Sequence, residues 1–339
     1  MKVFVTGAAG FLGGYLVEEL LNRGYEVIGL DNYSKYGRVS RNYDNHPRYH
    51  FVMGDVKNVD LMKELCSDCD QFIALAAIIG GISLFHEYAY DLLAENERIL
   101  ASSFDTAIWA HKNHNLRKVT VISSSMVFES TSFYPTPEGE QFKCPPPQST
   151  YGFQKLASEY FAKGAWEQYK LPYTVIRPFN IIGVGEGRAK RDKEILSGNI
   201  KLAMSHVVPD LVQKILRGQD PLHILGDGSQ VRCFTYGGDA ARGIWLSLEN
   251  EKATNEDFNI STPRATTILE LAEIIWKKIK VDKPFRYLSD KPYPYDVKKR
   301  IPDVEKAKRV LGFEANIRLE DALDEIIPWV EEQIKIGGI

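Results

Sequence analysis

The chain has 339 residues, of which 44% are hydrophobic and 26% are charged, and its formal net charge at pH 7 is −3. This near-neutral charge offers no basic surface for nucleic acid, and the apolar runs end before the roughly 20 residues that a membrane span needs. The start, MKVFVTG, also lacks the apolar core of a signal peptide, so we expect a cytoplasmic protein without nucleic-acid or membrane partners.

Short apolar runs alternate with helical patterns through the first half of the chain. The strand-like runs are KVFVT from Lys2, EVIGL from Glu26, YHFVM from Tyr49, QFIAL from Gln71, KVTVIS from Lys118 and YTVIRP from Tyr173. A helix is predicted from about Phe11 to Asn22. Strands that alternate with helices pair in parallel through right-handed crossovers. The pattern therefore predicts an α/β fold with a Rossmann-type, doubly wound parallel sheet.

A glycine-rich loop, VTGAAGFLGG, joins the first predicted strand to the first predicted helix. It places Gly7, Gly10 and Gly13 at the spacing GxxGxxG. Glycine lets the backbone approach a phosphate closely, and the helix N-terminus that follows attracts negative charge. The loop therefore predicts a dinucleotide-binding site; the alternative is that the glycines only permit close helix packing.

Asp31 ends the second predicted strand, where an acidic residue can bind the ribose hydroxyls of a dinucleotide. A carboxylate there repels a 2′-phosphate, which favours NAD over NADP. Arg38 and Arg41 follow in the next loop and are able to bind such a phosphate, so NADP stays open. Asp55, after the third strand, is expected either to accept the adenine amino group or to cap the next helix.

Of the four cysteines, only Cys66 and Cys69 are close in sequence, and they have the CxxC spacing of zinc and redox sites. A structural zinc site needs two further ligands at matching spacing, and we find none. We therefore expect ordinary free thiols and no metal.

The segment STYGFQK places Tyr151 and Lys155 four residues apart, on one face of a predicted helix. A free tyrosine has a pKa of about 10, but a nearby ammonium stabilises its phenolate. Such a pair can take a proton from an alcohol while hydride leaves the same carbon. On its own, however, the spacing favours an ordinary surface helix. The preceding strand ends in Ser123, Ser124 and Ser125, whose hydroxyls are suited to bind a substrate oxygen near Tyr151.

The alternation of strands and helices changes after Asn180. A charged loop, GEGRAKRDKE, precedes a helical pattern in SHVVPDLVQKILRG, a short strand LHIL and a turn GDGSQ. The segment CFTYGGDAARGIWLSLE predicts a return to the sheet, and amphipathic helices follow near TILELAEIIWKKI and LEDALDEIIPWVEEQI. A chain of this length is longer than the usual upper limit for a single hydrophobic core. We predict a Rossmann domain of residues 1–180 and 229–260, and a smaller, discontinuous α/β substrate-binding domain of mainly 181–228 and 261–339.

As a set, these motifs resemble the extended short-chain dehydrogenase/reductase family, in particular its NAD-dependent nucleotide-sugar epimerases and dehydratases. The resemblance covers nearly the whole chain: the glycine loop, Asp31, LAA after the fourth strand, the serine strand, YxxxK, RPFN, GDGSQVRCFTYGGDAARG and the tail DVEKAKRVLGFE. It implies that Tyr151 is the base, that Lys155 is its electrostatic partner and a ribose ligand, and that Ser124 orients the reacting oxygen.

The resemblance also implies the binding residues. Those for NAD are Gly7, Gly10, Phe11, Leu12, Gly13, Asp31, Asn32, Asp55, Val56, Leu75, Ala76, Ala77, Tyr151, Lys155 and Pro178. Those for a nucleotide-diphosphate sugar are Ser125, Met126, Asn180, His206, Val207 and Arg232. Asn180 is implied to contact the phosphates or the sugar, and Arg232 the diphosphate; a buried structural salt bridge is the alternative for Arg232.

The implied chemistry is transient oxidation at C4 of the sugar. The 4,6-dehydratases of the family carry an Asp-Glu pair directly after the catalytic hydroxyl, because elimination of water needs an acid and a base. Ser125 and Met126 stand at those positions here. A 4-epimerase needs no further acid or base, so an NAD-dependent 4-epimerase of a UDP- or GDP-linked sugar is expected.

Two segments, AAIIGGI from Ala76 and SHVVPDL from Ser205, resemble GDP-fucose synthase and the GDP-mannose 3,5-epimerases. In those enzymes a cysteine and a basic residue exchange protons at C3 and C5. His206 matches the histidine of the synthase, whereas Met126 replaces the cysteine. A GDP-sugar 3,5-epimerase, a C4 dehydrogenase/reductase and a catalytically silent NAD-binding protein therefore stay open.

The helical stretches 91–111 and 151–169 correspond to the pair that forms a dimer bundle in members of that family. The resemblance therefore implies a homodimer. The alternative is that their apolar faces are covered within the monomer.

Overall fold

The computed structural model describes residues 1–81, 87–187, 193–195, 198–200, 206–292 and 296–338. Its helices are α1 Phe11–Asn22, α2 Val59–Cys66, α3 Ala89–Asn113, α4 Thr150–Tyr169, α5 Val207–Leu216, α6 Gly237–Glu249, α7 Ile268–Ile279, α8 Glu305–Leu311 and α9 Leu319–Lys335. The strands of the main sheet are β1 Lys2–Thr6, β2 Glu26–Asp31, β3 Tyr49–Met53, β4 Gln71–Ala74, β5 Lys118–Ile122, β6 Tyr173–Pro178 and β13 Glu256–Ile260. Short strands are β7 Ile181–Ile182, β8 Lys193–Ile195, β9 Gly198–Ile200, β10 Leu222–Leu225, β11 Val231–Arg232, β12 Thr235–Tyr236, β14 Thr266–Thr267 and β15 Tyr287–Asp290.

The main sheet has seven parallel strands in the order β13-β6-β5-β4-β1-β2-β3. The chain builds outward from β1 through β2 to β3, then crosses to β4 on the other side of β1 and continues to β6. Ligands of doubly wound sheets bind at this reversal, beyond the carboxyl ends of the strands. The predicted fold class is therefore confirmed, and the topology places the glycine loop at the reversal.

One strand of the sheet, β13, was not predicted from the sequence. It begins with Glu256 and Asp257, which break the apolar pattern of a buried strand. Both carboxylates have partners beside the sheet: Lys306 binds Glu256 at 2.8 Å and Asp257 at 2.7 Å, and Arg177 binds Asp257 at 2.6 Å. The strand therefore takes its place through ion pairs as well as through its apolar end.

Side chains of the sheet alternate between two apolar clusters, one on each face, because successive residues of a strand point in opposite directions. On β1, Phe4 packs in the cluster that contains α2 and α3 residues, whereas Val3 and Val5 pack in the cluster that contains α1 and α6 residues. A third apolar cluster joins α5, α7 and α9 around the fully buried Trp276.

Within the described ranges, no helix combines the length and the apolar character that crossing a membrane requires. The cytoplasmic location stays a prediction. Cys66 and Cys69 are free, buried thiols, and burial raises the pKa of both, that of Cys66 to about 12.

Candidate active site

A cleft opens where the first β-strand meets α1. It is lined by the predicted cofactor contacts Gly7, Gly10, Phe11, Leu12, Gly13, Asp31, Asn32, Asp55, Val56, Leu75, Ala76 and Ala77. These residues lie after β1, β2, β3 and β4, whose carboxyl ends meet at one edge of the sheet. The topology therefore gathers into one wall residues that are up to seventy positions apart in sequence.

The glycines of the loop leave no room for side chains. Gly7 has φ +75°, which favours glycine, and a Cβ atom there would lie 3.0 Å from the backbone nitrogen of Ala76. A Cβ atom on Gly13 would lie 2.1 Å from the carbonyl oxygen of Gly7. The loop and the first turn of α1 therefore pack backbone against backbone, and this edge of the cleft is built from main chain.

The charges of the cleft fit a dinucleotide. No side chain caps α1, and its first turn has no acidic residue, so its N-terminus can face a phosphate. The Asp31 carboxylate is held in the cleft wall because its oxygens accept hydrogen bonds from the backbone of Ala9 at 3.1 Å and of Tyr33 at 2.8 Å. It is placed to meet ribose hydroxyls.

Asp55 also lines the cleft, but it does not cap a helix. Asn58 is the N-cap of α2 and accepts from the backbone nitrogen of Leu61. Asp55 instead accepts from the backbone of Lys57 at 2.9 Å and from the amide of Asn32 at 3.4 Å. The helix-cap alternative is therefore wrong.

The predicted catalytic residues lie together at the start of α4. Tyr151 and Lys155 are 5% and 4% exposed, and Ser124, which caps the short 3-10 helix after β5, is 9% exposed. The hydroxyl of Ser149 caps α4 by accepting from the backbone of Gly152 at 3.0 Å. Both side chains of the YxxxK spacing are buried, so the surface-helix interpretation is wrong.

Burial and neighbouring groups act on the pKa of Tyr151 in opposite directions. Burial raises the pKa of Tyr151, while a hydrogen bond with Ser124 and the positive charge of Arg300 act to lower it. Burial also lowers the pKa of Lys155 to about 8. The Lys155 ammonium donates to the carbonyl oxygen of Ile122 at 3.0 Å. Arg300, whose positive charge acts on the phenol, is a residue that sequence reasoning missed. The role of Lys155 as the electrostatic partner of Tyr151 stays a prediction.

Residues 3–261 match the NAD dependent epimerase/dehydratase family. The chain belongs to this family. Its cofactor is therefore NAD, and the expected class of enzyme is confirmed.

Individual relatives are similar over nearly their whole length. A putative UDP-glucose 4-epimerase of Methanocaldococcus jannaschii is 28% identical over 97% of this chain and 98% of its own. A UDP-N-acetyl-alpha-D-glucosaminuronate decarboxylase of Bacillus cytotoxicus is 29% identical over 98% of each chain. The crystal structure of a UDP-glucuronic acid 4-epimerase from Bacillus cereus in complex with UDP-glucuronic acid and NAD is 26% identical, has a TM-score of 0.81 and covers 98% of this chain and 99% of that one.

The remaining residues that family resemblance implies lie on several different elements. Ser125 and Met126 are buried in a short 3-10 helix directly after Ser124. Pro178 ends β6, outside the residues that line the cofactor cleft. Asn180 has φ 39°, and its side-chain oxygen is buried without a hydrogen-bond partner. An unsatisfied buried acceptor of this kind is suited to a ligand's hydroxyl.

His206 lies in an unexpected place, because it lines the same cleft as the cofactor contacts. Its Nδ1 is bound to the carboxylate of Glu186, which is 2% exposed. Val207 is the first residue of α5. Arg232 is buried and pairs with Asp296 at 3.2 Å, so the structural salt bridge exists; the contact with a diphosphate stays a prediction.

Sequence reasoning missed part of the cleft wall. The missed residues are Ala9, Tyr33, Ser34, Lys35, Tyr36, Gly37, Gly54, Ile78, Ile79 and Ile99. Ala9, Tyr33, Gly54 and Ile78 directly follow or precede a predicted contact, so adjacency was the only signal for these four. Residues 188–192, half of the charged loop GEGRAKRDKE, fall outside the described residues.

Proposed function

We propose that the protein is an NAD-dependent nucleotide-sugar 4-epimerase, which inverts C4 by transient oxidation. The observation that carries the proposal is the buried hydroxyl of Tyr151, hydrogen-bonded to Ser124. No acidic side chain follows at Ser125 or Met126, so a proton-transfer pair for dehydration is lacking there. The UDP-sugar names of the relatives support a nucleotide-sugar substrate, linked to UDP or GDP.

In this mechanism the glycine loop and Asp31 hold the cofactor. When bound, NAD supplies a hydride acceptor for C4 and later a hydride donor for the ketone. Ser124 orients the C4 oxygen, and Tyr151 takes its proton and afterwards returns it. Since neither Ser125 nor Met126 can abstract a proton, the keto sugar keeps its substituents until it turns in the pocket.

The experiment incubates the NAD-loaded protein with UDP-glucose, UDP-galactose and UDP-glucuronate in deuterated water and follows each sugar by proton NMR. We expect interconversion of C4 epimers of one sugar without solvent deuterium on carbon. Tyr151→Phe should lower the rate by about 10² to 10⁴ while NAD binding persists. Loss of CO₂ from UDP-glucuronate, or equal turnover by Tyr151→Phe, would contradict the proposal.

A second candidate, epimerisation at C3 or C5 of a GDP sugar, is favoured by one observation. His206 lines the cleft and is oriented by the buried Glu186 carboxylate, an arrangement suited to moving protons. Incubation of a GDP sugar in deuterated water would then label C3 or C5, and His206→Gln would remove the label. Unlabelled product from the unmodified protein would reject this candidate.

We also propose that the protein is a homodimer joined through α3 and α4. These helices pack against each other, and α4 presents Phe153, Tyr160 and Phe161 at 51%, 54% and 36% exposure. Exposed apolar residues grouped on one helix are typical of an interface. Light scattering should give twice the chain mass of 38.4 kDa. Phe153→Asp should halve it; a monomer in the unmodified protein would rule out this interface.

A further inference from the structure

The helix α4 carries a buried carboxylate one turn beyond Lys155. Glu159 follows Lys155 by four positions, so Tyr151, Lys155 and Glu159 share one face of the helix. The side chain of Glu159 is buried, and carboxylates are almost never fully buried unless they are paired. The partners of Glu159 therefore show what this face of α4 is held against.

Three side chains donate hydrogen bonds to the Glu159 carboxylate. One of its oxygens accepts from the hydroxyl of Ser123 at 2.7 Å and from Nε of Arg177 at 2.7 Å. The other oxygen accepts from Nη2 of Arg177 at 2.7 Å and from the side-chain amide of Gln141 at 3.2 Å. A two-pronged contact between an arginine and a carboxylate fixes orientation as well as distance. Glu159 thus connects α4 both to Ser123, directly after β5, and to Arg177, within β6.

A second carboxylate holds Arg177 in place. The arginine is buried, and its Nη2 also binds Asp257 of the neighbouring strand β13 at 2.6 Å. Asp257 lies opposite Val175 in the register of the sheet, two residues before Arg177 and on the same face. Asp257 in turn binds Lys306 at 2.7 Å. Arg177 is therefore fixed at the edge of the sheet, and Glu159 fixes α4 to it.

The end of β5 also carries the hydroxyl proposed to orient the substrate. Ser123 directly precedes Ser124, and its backbone nitrogen donates to the carbonyl oxygen of Ile176 at 2.8 Å. The Ser123 hydroxyl also lies 3.3 Å from the carbonyl oxygen of Lys155. The Lys155 ammonium donates to the carbonyl oxygen of Ile122 at 3.0 Å. Two consecutive residues, Ile122 and Ser123, thus connect the end of β5 to α4 immediately before Ser124.

A buried ion pair of this kind is better suited to fixing geometry than to adding stability. Moving two charges out of water costs free energy that their attraction often only offsets, and apolar residues of similar volume would stabilise such a contact as well or better. Three donors on one carboxylate, in contrast, allow few alternative positions of the helix. Since Tyr151 lies on α4 and Ser124 follows β5, a shift of α4 would move the two hydroxyls apart. A misplacement of about 1 Å can lower a rate by about 10².

We propose that Glu159 is a positioning residue: by binding Ser123 and Arg177 together, it fixes α4 on β5 and β6 so that the hydroxyls of Tyr151 and Ser124 face the same substrate oxygen. This role rests on the proposed function, in which those two hydroxyls carry out the proton transfer. It also changes the interpretation of Ser123, whose hydroxyl is engaged by Glu159 rather than by a substrate.

The test compares Glu159→Gln with Ser123→Ala, which removes only a hydroxyl that Glu159 binds and keeps every charge. With any sugar that the NAD-loaded protein turns over, kcat of Glu159→Gln should fall about 10- to 100-fold, while KM and NAD affinity stay the same. Ser123→Ala should also lower kcat, and the double variant should lower it no further than Glu159→Gln, because both substitutions break one connection. Unchanged kcat in both single variants would overturn the proposal; if Glu159→Gln does not fold, unchanged kcat in Ser123→Ala does so alone.

The matched control is Asp257→Asn, which removes the other carboxylate from Arg177 and leaves the bond between Glu159 and Ser123 in place. It should lower Tm without lowering kcat. If Asp257→Asn loses as much kcat as Glu159→Gln, the network acts only through general stability and the proposal is overturned. Glu167→Gln, on the same helix and 63% exposed, should change neither Tm nor kcat.

A readout without sugar separates this role from the choice of reaction. Tyrosine labelled with ¹³C at Cζ gives one NMR signal per ring, and the signal that Tyr151→Phe removes belongs to Tyr151. A hydrogen bond to the phenolate moves its titration by about half to one pH unit. We expect Ser123→Ala and Glu159→Gln to move the Tyr151 transition upward by that amount, because the Ser124 hydroxyl is no longer held beside the phenol. If the protein converts no sugar, the 4-epimerase assignment fails while the titration still decides, since an unchanged Tyr151 transition in both variants would overturn the role of Glu159.

Discussion

A methyl group on Gly13 has no space in the folded protein. Its carbon would lie 2.1 Å from the Gly7 carbonyl oxygen and 3.0 Å from the Cα atom of Ala8, and both are backbone atoms that cannot swing aside. Gly13→Ala should therefore displace the loop and abolish NAD binding, although alanine favours helix by about 1 kcal/mol. Calorimetric titration with NAD checks this.

The matched control is Gly164→Ala in α4, where an added Cβ atom meets nothing within 4 Å. This variant should keep NAD affinity and gain about 0.5 to 1 kcal/mol in the free energy of unfolding. If both variants bind NAD equally, the close packing of the loop is not what the cofactor site depends on.

Individual residues were predictable where one short segment carries the chemistry. Gly7, Asp31 and Tyr151 each occupy a fixed spacing relative to a predicted strand or helix. The structure places Gly7 and Asp31 in the cleft and buries Tyr151 at the start of α4. Arg300 and Glu186 have no such spacing. The charge of Arg300 acts on Tyr151, and Glu186 binds His206, only in the folded chain. A lone arginine within VKKR, or a lone glutamate within VGEG, is indistinguishable in sequence from a solvated charge.

At the scale of single elements, β5 carries a lysine in the core of the sheet. Lys118 is 6% exposed and donates to the carbonyl oxygen of Ser247 at 2.7 Å. Burial lowers its pKa to about 8, whereas the unfolded chain has about 10.4. Between about pH 8 and about pH 10.4 the unfolded state binds more protons than the folded state. The free energy of unfolding therefore rises with pH through this window, and Lys118 makes the protein less stable at pH 7 than above about pH 10.

Lys118→Met should therefore stabilise the protein at pH 7. Removing the buried charge gains about 3 kcal/mol, and losing the hydrogen bond costs about 1 kcal/mol, so the net gain is about 2 kcal/mol. The gain should disappear above pH 10. Urea unfolding at both pH values measures it, with Lys163→Met, 55% exposed, as a control that changes little. If Lys118→Met is less stable than the unmodified protein at pH 7, the hydrogen bond to Ser247 stabilises the fold by more than the buried charge destabilises it.

Elements were predictable where apolar periodicity is uninterrupted. The helix Phe11–Asn22 and the six strands named from sequence all form within a residue or so of the expected bounds. β13 was not predicted because its first residues, Glu256 and Asp257, are charged. Arg177 and Lys306, which form ion pairs with them, are remote in sequence. Local patterns cannot reveal an ion pair formed across the edge of a sheet.

For the whole molecule, we propose the division into a domain of residues 1–180 and 229–260 and a second, smaller one. The apolar cluster around α5, α7 and α9 is separate from the two clusters that flank the sheet. Only the sheet region carries the glycine loop. The two regions should therefore respond differently to core damage and to NAD.

Two Leu→Ala substitutions, one in each proposed domain, test this division. Leu20, on α1, and Leu271, on α7, are both fully buried, and Leu→Ala at such sites costs about 2 to 5 kcal/mol. Saturating NAD, at about 100 times its Kd, should add about 2.7 kcal/mol to the free energy of unfolding of any unit that binds it. In thermal unfolding, Leu271→Ala should lower an early transition that NAD hardly moves, and limited proteolysis should then cut within 261–339. Leu20→Ala should lower the transition that NAD raises. A single transition that both substitutions lower and NAD raises equally would show one cooperative unit and defeat the division.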